Sequence, residues 1–274
     1  MITYQPGTEE EFFEAMPPRV YKYRVWSNSY HKKMLTDLEL FFPEPKKFND
    51  PYDCGLPFRP DPTDKDPKKI KDKLEELAPR AFPLLRNDPI ALEQKVVEQL
   101  SLIMQDPDTY FQEQWGFKRD DLNSIYGVLS LTPHPANFLM WSHYSDSHRG
   151  FVIGFDTKIL VKQNFATFSK VKYTDEIPII SVLEMNSILM YKLIYTKASP
   201  WAYEDEYRFT RIMQPNSKIT ANPSTLKTVH LGFNMPQKDK FEIIEIVKEK
   251  YPTVNIFEMT LGKDKFELIP FPLY

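Results

Sequence analysis

WAYEDEYRF, residues 201–209, sets two glutamates two positions apart, with an arginine two positions further on. Side chains of a β-strand alternate between its two faces. Read as a strand over 204–213, the stretch puts Glu204, Glu206 and Arg208 on one face. Tyr203, Asp205, Tyr207 and Phe209 then fall on the other. Adjacent like charges repel, and an aromatic setting argues for a packed sheet, where a carboxylate needs a partner or a task. An ion-paired edge strand accounts for the charges, because Arg208 can neutralise them. It accounts less well for the aromatics.

Working outward, strand signals recur at 20–26, 38–43, 127–132, 150–156, 168–174 and 227–233, and a hairpin is expected over 254–271 around Gly262–Lys265. Thr8-x-x-Glu11 reads as a capping box for a short helix over 9–16. Further helices are expected at 29–37, 67–79, 88–105, 135–145, 179–193 and 236–250. The region of about 64–126 reads as a helical insertion between two β-rich parts. The 274 residues fit one large domain with that insertion.

Composition narrows the chemistry. The net charge of −3 provides no global field for nucleic acid or anionic membrane. One cysteine, Cys54, makes neither an internal disulfide nor a thiolate metal cluster, which fits a reducing cytoplasm. The amino-terminal stretch is acidic and does not read as a signal peptide. The most apolar long stretch, IPIISVLEMNSILMYKLIY at 177–195, is broken by Glu184, Asn186 and Lys192, so it reads as a buried helix rather than a membrane span. The eight glycines form neither of the usual loops that cradle a pyrophosphate. A nucleotide would have to be held by side chains.

Four groups of residues can carry chemistry. Lys22 and Arg24 share a strand face, where an arginine forks onto a phosphate or carboxylate. Ser130 and Thr132 share another, and hydroxyls can hold a ribose or bridge to a carboxylate. Phe138, Trp141 and Tyr144, at three-residue spacing, fit one side of a helix and read first as core. Asp50 and Asp53 flank a tight turn that can hold a divalent cation, but an Asx turn fixing the loop is the preferred reading. His134, His143 and His148 lack the spacing of a helical zinc site.

Five blocks then occur in order: Tyr21-Lys22-Tyr23-Arg24, Phe48-Asn49-Asp50-Pro51, Leu139-Met140-Trp141-Ser142-His143-Tyr144, His148-Arg149-Gly150-Phe151 and Trp201-x-Tyr203-Glu204-x-Glu206-Tyr207-Arg208. The string resembles a bacterial domain family of unknown function, often placed near phage-defence genes. That family is remotely similar to ADP-ribosyltransferases of the arginine–serine–glutamate type. The resemblance implies an α+β fold, a split β-sandwich with NAD in its cleft as a substrate. It assigns the arginine to Arg24, the serine-x-threonine to Ser130 and Thr132, and the glutamates to Glu204 and Glu206. It implies that Glu206 stabilises the ribose cation and Glu204 activates the acceptor. Tyr23, Trp141 and Tyr144 are the candidates to stack on nicotinamide. The acceptor would be a macromolecule, protein or nucleic acid. Pro133 and the long insertion depart from the type. Two other readings stand beside this one: a non-catalytic module binding a nucleotide or phage component, and a metal-dependent nuclease using Asp50, Asp53, Glu204 and Glu206.

Overall fold

The computed structural model describes residues 9–164, 167–183 and 187–273. Thr8, the expected capping residue, and Glu184 and Asn186 in the apolar stretch lie outside the described residues. The architecture is mixed α+β, with several sheets and, among the described residues, no closed barrel.

The chain opens with α1 (Glu9–Glu14), β1 (Arg19–Arg24), α2 (Ser29–Thr36) and β2 (Glu39–Phe42). The α2 start is set by Asn28, whose side-chain oxygen accepts from the amides of Tyr30 and His31. Three helices follow: α3 (Pro67–Ala81), α4 (Pro89–Gln105) and α5 (Pro107–Ile125). Each begins with proline at its first position, behind an aspartate whose carboxylate accepts from a first-turn amide.

The chain then returns to sheet: β3 (Tyr126–Leu131), α6 (Phe138–Tyr144), β4 (Phe151–Asp156), α7 (Thr157–Asn164), β5 (Thr167–Lys170) and β6 (Lys172–Thr174). After these come α8 (Ser187–Tyr195), β7 (Thr196–Ala198), β8 (Tyr207–Ile212) and β9 (Ser217–Thr220). The last elements are β10 (Leu226–Leu231), α9 (Gln237–Lys250), β11 (Asn255–Leu261) and β12 (Leu268–Pro272).

Two sheets dominate. One has the order β1-β4-β10-β11-β12, the other β3-β8-β5. The β10–β11 pair is parallel and α9 makes the crossover; the remaining pairs of both sheets are antiparallel. One core cluster packs both sheets together. Val20, Phe151 and Ile153 come from the larger sheet, and Leu129, Phe168 and Phe209 from the smaller. Full burial of such side chains stabilises by about 1.5–3 kcal/mol each.

The two sheets also touch through backbone. Tyr21 and Thr132 exchange amide-to-carbonyl hydrogen bonds of 2.7 and 3.1 Å. Pro133 ends the pairing one residue later, since it has no amide to donate. The bridge brings the end of β3 beside β1.

Two expected elements are corrected. The strand drawn over 204–213 begins at Tyr207, because residues Ser199–Glu204 form a 3-10 helix. Asp205 then turns the chain in the left-handed region, at φ 44° and ψ 51°. The helix drawn over 179–193 spans Ser187–Tyr195 instead. Ile180 is extended, bonded to the backbone of Arg59 and Asp61.

Candidate functional site

A cavity of about 390 Å³ opens where β1 meets the end of β3. Its walls come from separate parts of the chain. Strand β1 contributes Lys22 and Arg24, and β3 contributes Ser130. Helix α6 contributes Tyr144, and the turn after β2 contributes Asp53. The floor is Lys197, Glu204 and Glu206. An Asx turn shapes the approach to Asp53, with the Tyr52 amide donating to Asp50 Oδ1 at 2.9 Å.

The floor is a buried charge cluster. Arg208 Nε donates to Glu206 Oε1 at 2.7 Å, and its Nη2 donates to Glu206 Oε2 at 3.0 Å and to Asp53 Oδ2 at 2.7 Å. Lys197 Nζ lies 2.6 Å from Glu204 Oε2, 3.1 Å from Glu206 Oε2 and 3.5 Å from Asp53 Oδ2. Tyr144 donates its hydroxyl proton to Glu204 Oε1 at 2.6 Å. Ser130 stands opposite Arg208 in the β3–β8 register, and its hydroxyl adds to the effects that hold the Glu206 pKa down. Three carboxylates thus surround two cations, and all five residues are buried.

The two glutamates arrive on this floor by a route that strict alternation does not describe. Glu204 closes the 3-10 helix and Glu206 lies between Asp205 and β8. The left-handed turn at Asp205 lets both carboxylates point inward. Aspartate tolerates that conformation better than most residues. Lys170 and His134 hold its side chain, at 2.6 and 3.2 Å. The Glu206 amide is in turn held by the Tyr173 hydroxyl at 2.8 Å.

The cluster separates the two carboxyls chemically. Burial alone would raise the Glu206 pKa, but Arg208 and then Lys197 hold it well below the usual carboxylate range. Burial pushes Glu204 up. Lys197 pulls against that shift, and the charge on Glu206 adds to it. One carboxyl therefore stays ionised while the other exchanges a proton more readily, the division that acid–base chemistry uses.

The opposite wall is cationic. Lys22 and Arg24 sit half-buried, two residues apart on β1. Lys22 Nζ donates to the Ser130 carbonyl at 2.6 Å, and Arg24 Nη1 reaches only the neighbouring Tyr23 carbonyl, at 3.4 Å. Neither makes an ion pair among the described residues. Burial, helped by Arg24, lowers Lys22 to about 7. Burial lowers Arg24 to about 10. Burial and then these two cations lower His31, also on the cavity wall, to about 4.

Of the eight residues that the transferase resemblance assigns to the site, Arg24, Ser130, Glu204, Glu206, Tyr23 and Tyr144 line this one cavity. Two do not. The Thr132 side chain is buried and accepts from the His134 amide at 3.2 Å, so it shapes the turn after β3. Trp141 is fully buried, donates its indole N–H to the Pro135 carbonyl at 2.8 Å, and meets Tyr23 edge-on at 5.4 Å. Tyr23 itself spends its hydroxyl on the His134 carbonyl, at 2.6 Å. Lys197 escaped the sequence reading altogether; the one hint is a lysine set between the apolar α8 and a tryptophan. Among the described residues no set of three or more histidine, cysteine or acidic side chains is disposed to hold a metal ion. No described helix is long and apolar enough to cross a membrane.

Fold and site together define a class: an α+β protein whose two main sheets enclose a cavity with a cationic wall and a carboxylate floor. Residues 140–209 match the model of a family described as protein of unknown function (DUF2971). That span includes Tyr144, Lys197, Glu204, Glu206 and Arg208, whereas Lys22, Arg24, Asp53 and Ser130 precede it. Comparison with curated proteins and with solved structures returns no match.

Proposed function

We propose that the protein transfers ADP-ribose from NAD to a macromolecular acceptor, as an effector of the phage-defence or toxin kind. The observation that carries this reading is the meeting of Arg24, Ser130 and Glu206, from three separate stretches of chain, on one cavity. The two main sheets over a common core correspond, in this reading, to the split β-sandwich. Arg24 holds a phosphate of the dinucleotide, where no glycine-rich loop is needed. Ser130 fixes Glu206. Cleavage of the nicotinamide–ribose bond develops positive charge on the ribose, as in glycoside cleavage. The permanently ionised Glu206 stabilises that charge. Glu204, with the higher pKa, takes the proton of the incoming nucleophile. Tyr144 and Tyr23, rather than Trp141, are placed to cover the nicotinamide.

A second reading rests on a different observation. A carboxylate offers about four acceptor positions. Glu206 already accepts two hydrogen bonds from Arg208 and one from Lys197. A Glu206 so largely occupied suits a module that binds a nucleotide without cleaving it. Labelled NAD incubated with the protein and a cell lysate separates the two. Transfer of label that disappears in Glu206→Gln supports the transferase; equal transfer by both proteins rejects it. Calorimetric binding of NAD without nicotinamide release supports the binding module.

A further inference from the structure

Two lysines line the same cavity, and their surroundings are opposite. Lys197 is surrounded by three carboxylates within 3.5 Å and is held protonated. Lys22, on the cationic wall, has no carboxylate within ion-pair distance among the described residues. Its one hydrogen bond runs to a backbone carbonyl, that of Ser130. An amine that donates one N–H to a carbonyl can do so uncharged, and its lone pair is then free to react. Arg24, two residues along the strand, is likewise without an anionic partner. Two neighbouring cations that face the cavity without an ion pair to the carboxylates of its floor, which Lys197 and Arg208 already engage, can take an anionic group on a ligand.

We propose that Lys22 is a carbonyl-reactive amine, which forms an imine with a small aldehyde or keto compound whose anionic group is held by Arg24. This inference stands on the cavity alone and does not depend on ADP-ribosyl transfer. Burial and Arg24 bring the amine to about 7, against 10.5 for a solvated lysine. Near neutral pH about half of it carries a free lone pair, whereas an exposed lysine is almost wholly protonated.

The chemistry balances without an oxidant or reductant. The Nζ lone pair attacks the carbonyl carbon, and the electrons of the C=O bond move to oxygen. That oxygen takes a proton, and nitrogen gives one up, leaving a neutral carbinolamine. A second proton, drawn from solvent in the cavity, goes to the same oxygen and lets it leave as water. The nitrogen lone pair then closes the C=N bond, which forms as the protonated imine. Arg24 cannot compete for the carbonyl, because its guanidinium stays protonated.

Reductive trapping tests the proposal on the intact, unmutated chain in the absence of NAD. The protein is incubated separately with glyoxylate, with pyridoxal 5′-phosphate and with propionaldehyde. It is then reduced with borohydride and mapped by peptide mass spectrometry. At least one of the two anionic carbonyls is expected to label Lys22 at least about ten-fold more than any other lysine, given its larger free-amine fraction. Labelling by glyoxylate only identifies a carboxylate ligand, and labelling by pyridoxal phosphate only identifies a phosphate. Propionaldehyde, which gives Arg24 nothing to hold, is expected to label Lys22 several-fold less than the better of the two anionic carbonyls does. Lys22→Arg keeps the charge and should lose the adduct while keeping the wild-type melting midpoint. An unlabelled Lys22, or label spread over the lysines according to their exposure, overturns the proposal. Equal labelling of Lys22 by propionaldehyde overturns the role given to Arg24.

Discussion

Arg208 grips Glu206 with two nitrogens, Nε at 2.7 Å from one carboxylate oxygen and Nη2 at 3.0 Å from the other. The same guanidinium reaches Asp53, and none of it is exposed. Cutting one member out of such a buried pair strands the others. Arg208→Met therefore leaves Glu206 and Asp53 with Lys197 alone, and should destabilise the protein by about 3–5 kcal/mol. Urea unfolding, read as a fall in midpoint at an unchanged slope, checks this. A midpoint within experimental error of wild type would show that the cluster does not hold the fold.

Glu204 is the carboxyl positioned to exchange protons. If it is the base, wild-type nicotinamide release should rise with pH as Glu204 ionises, with an apparent pKa above the ordinary glutamate value. Glu204→Gln should flatten that limb and lower kcat by about 10²–10⁴-fold, with KM for NAD nearly unchanged. A rate–pH profile on both proteins decides it. A variant that keeps the wild-type slope places the base elsewhere.

Acid sensitivity follows from Glu206. Its folded pKa lies below the ordinary 4.5, so its ionisation favours the folded state. That contribution is complete above 4.5 and is lost progressively as pH falls below it. Glu204, shifted upward, acts in the opposite sense: its ionisation costs stability as pH climbs above the same ordinary value. Glu206→Gln should thus be less stable than wild type at neutral pH. Its stability should also change less between pH 5 and 3 than that of the wild type, as followed by thermal melts across that range. An acid limb as steep as wild type assigns the sensitivity to other groups.

Lys22 gives a gain instead of a loss. Its folded pKa of about 7 lies below the unfolded 10.5, so protonated Lys22 disfavours the folded state. The penalty is complete below pH 7 and fades as pH rises from there toward 10.5. Lys22→Met should raise stability near pH 6.5 by about 1 kcal/mol, within the range of common stabilising changes. The gain should shrink by pH 9.5. Inorganic phosphate should raise the melting temperature of the wild type more than that of the variant, since an anion that binds only the folded state stabilises it. A gain that is constant with pH would trace to packing and not to charge.

Much of this was legible from short-range pattern. Alternation found β1, β3, β4 and β10, and helical periodicity found α3, α4 and α9. WAYEDEYRF was legible only in its second half. What bends the first half into a 3-10 helix and a left-handed turn is contact with Lys170, His134 and Tyr173, none of them a sequence neighbour. The same limit hid Lys197, whose role exists only once Asp53 and the two glutamates surround it. Trp141 shows the reverse: spacing marked it as core, and full burial bears that reading out. Arg208 looked from the sequence like a bystander neutralising the pair; it is the centre of the cluster, because its neighbours across β8 are Ser130 and Ser169 and its partner Asp53 is far along the chain.

Asp53 and Arg208 lie 155 positions apart. A ribosome adding about 5–20 residues per second takes roughly 8–30 s to pass from one to the other. Throughout that interval Asp53 exists without its guanidinium, and until Lys197, Glu204 and Glu206 have been added the cavity has a cationic wall but no floor. A nascent or truncated chain that stops short of residue 197 therefore presents the cationic wall without the carboxylate floor, however well its first strands have formed. Wall and floor meet only once most of the chain has been made.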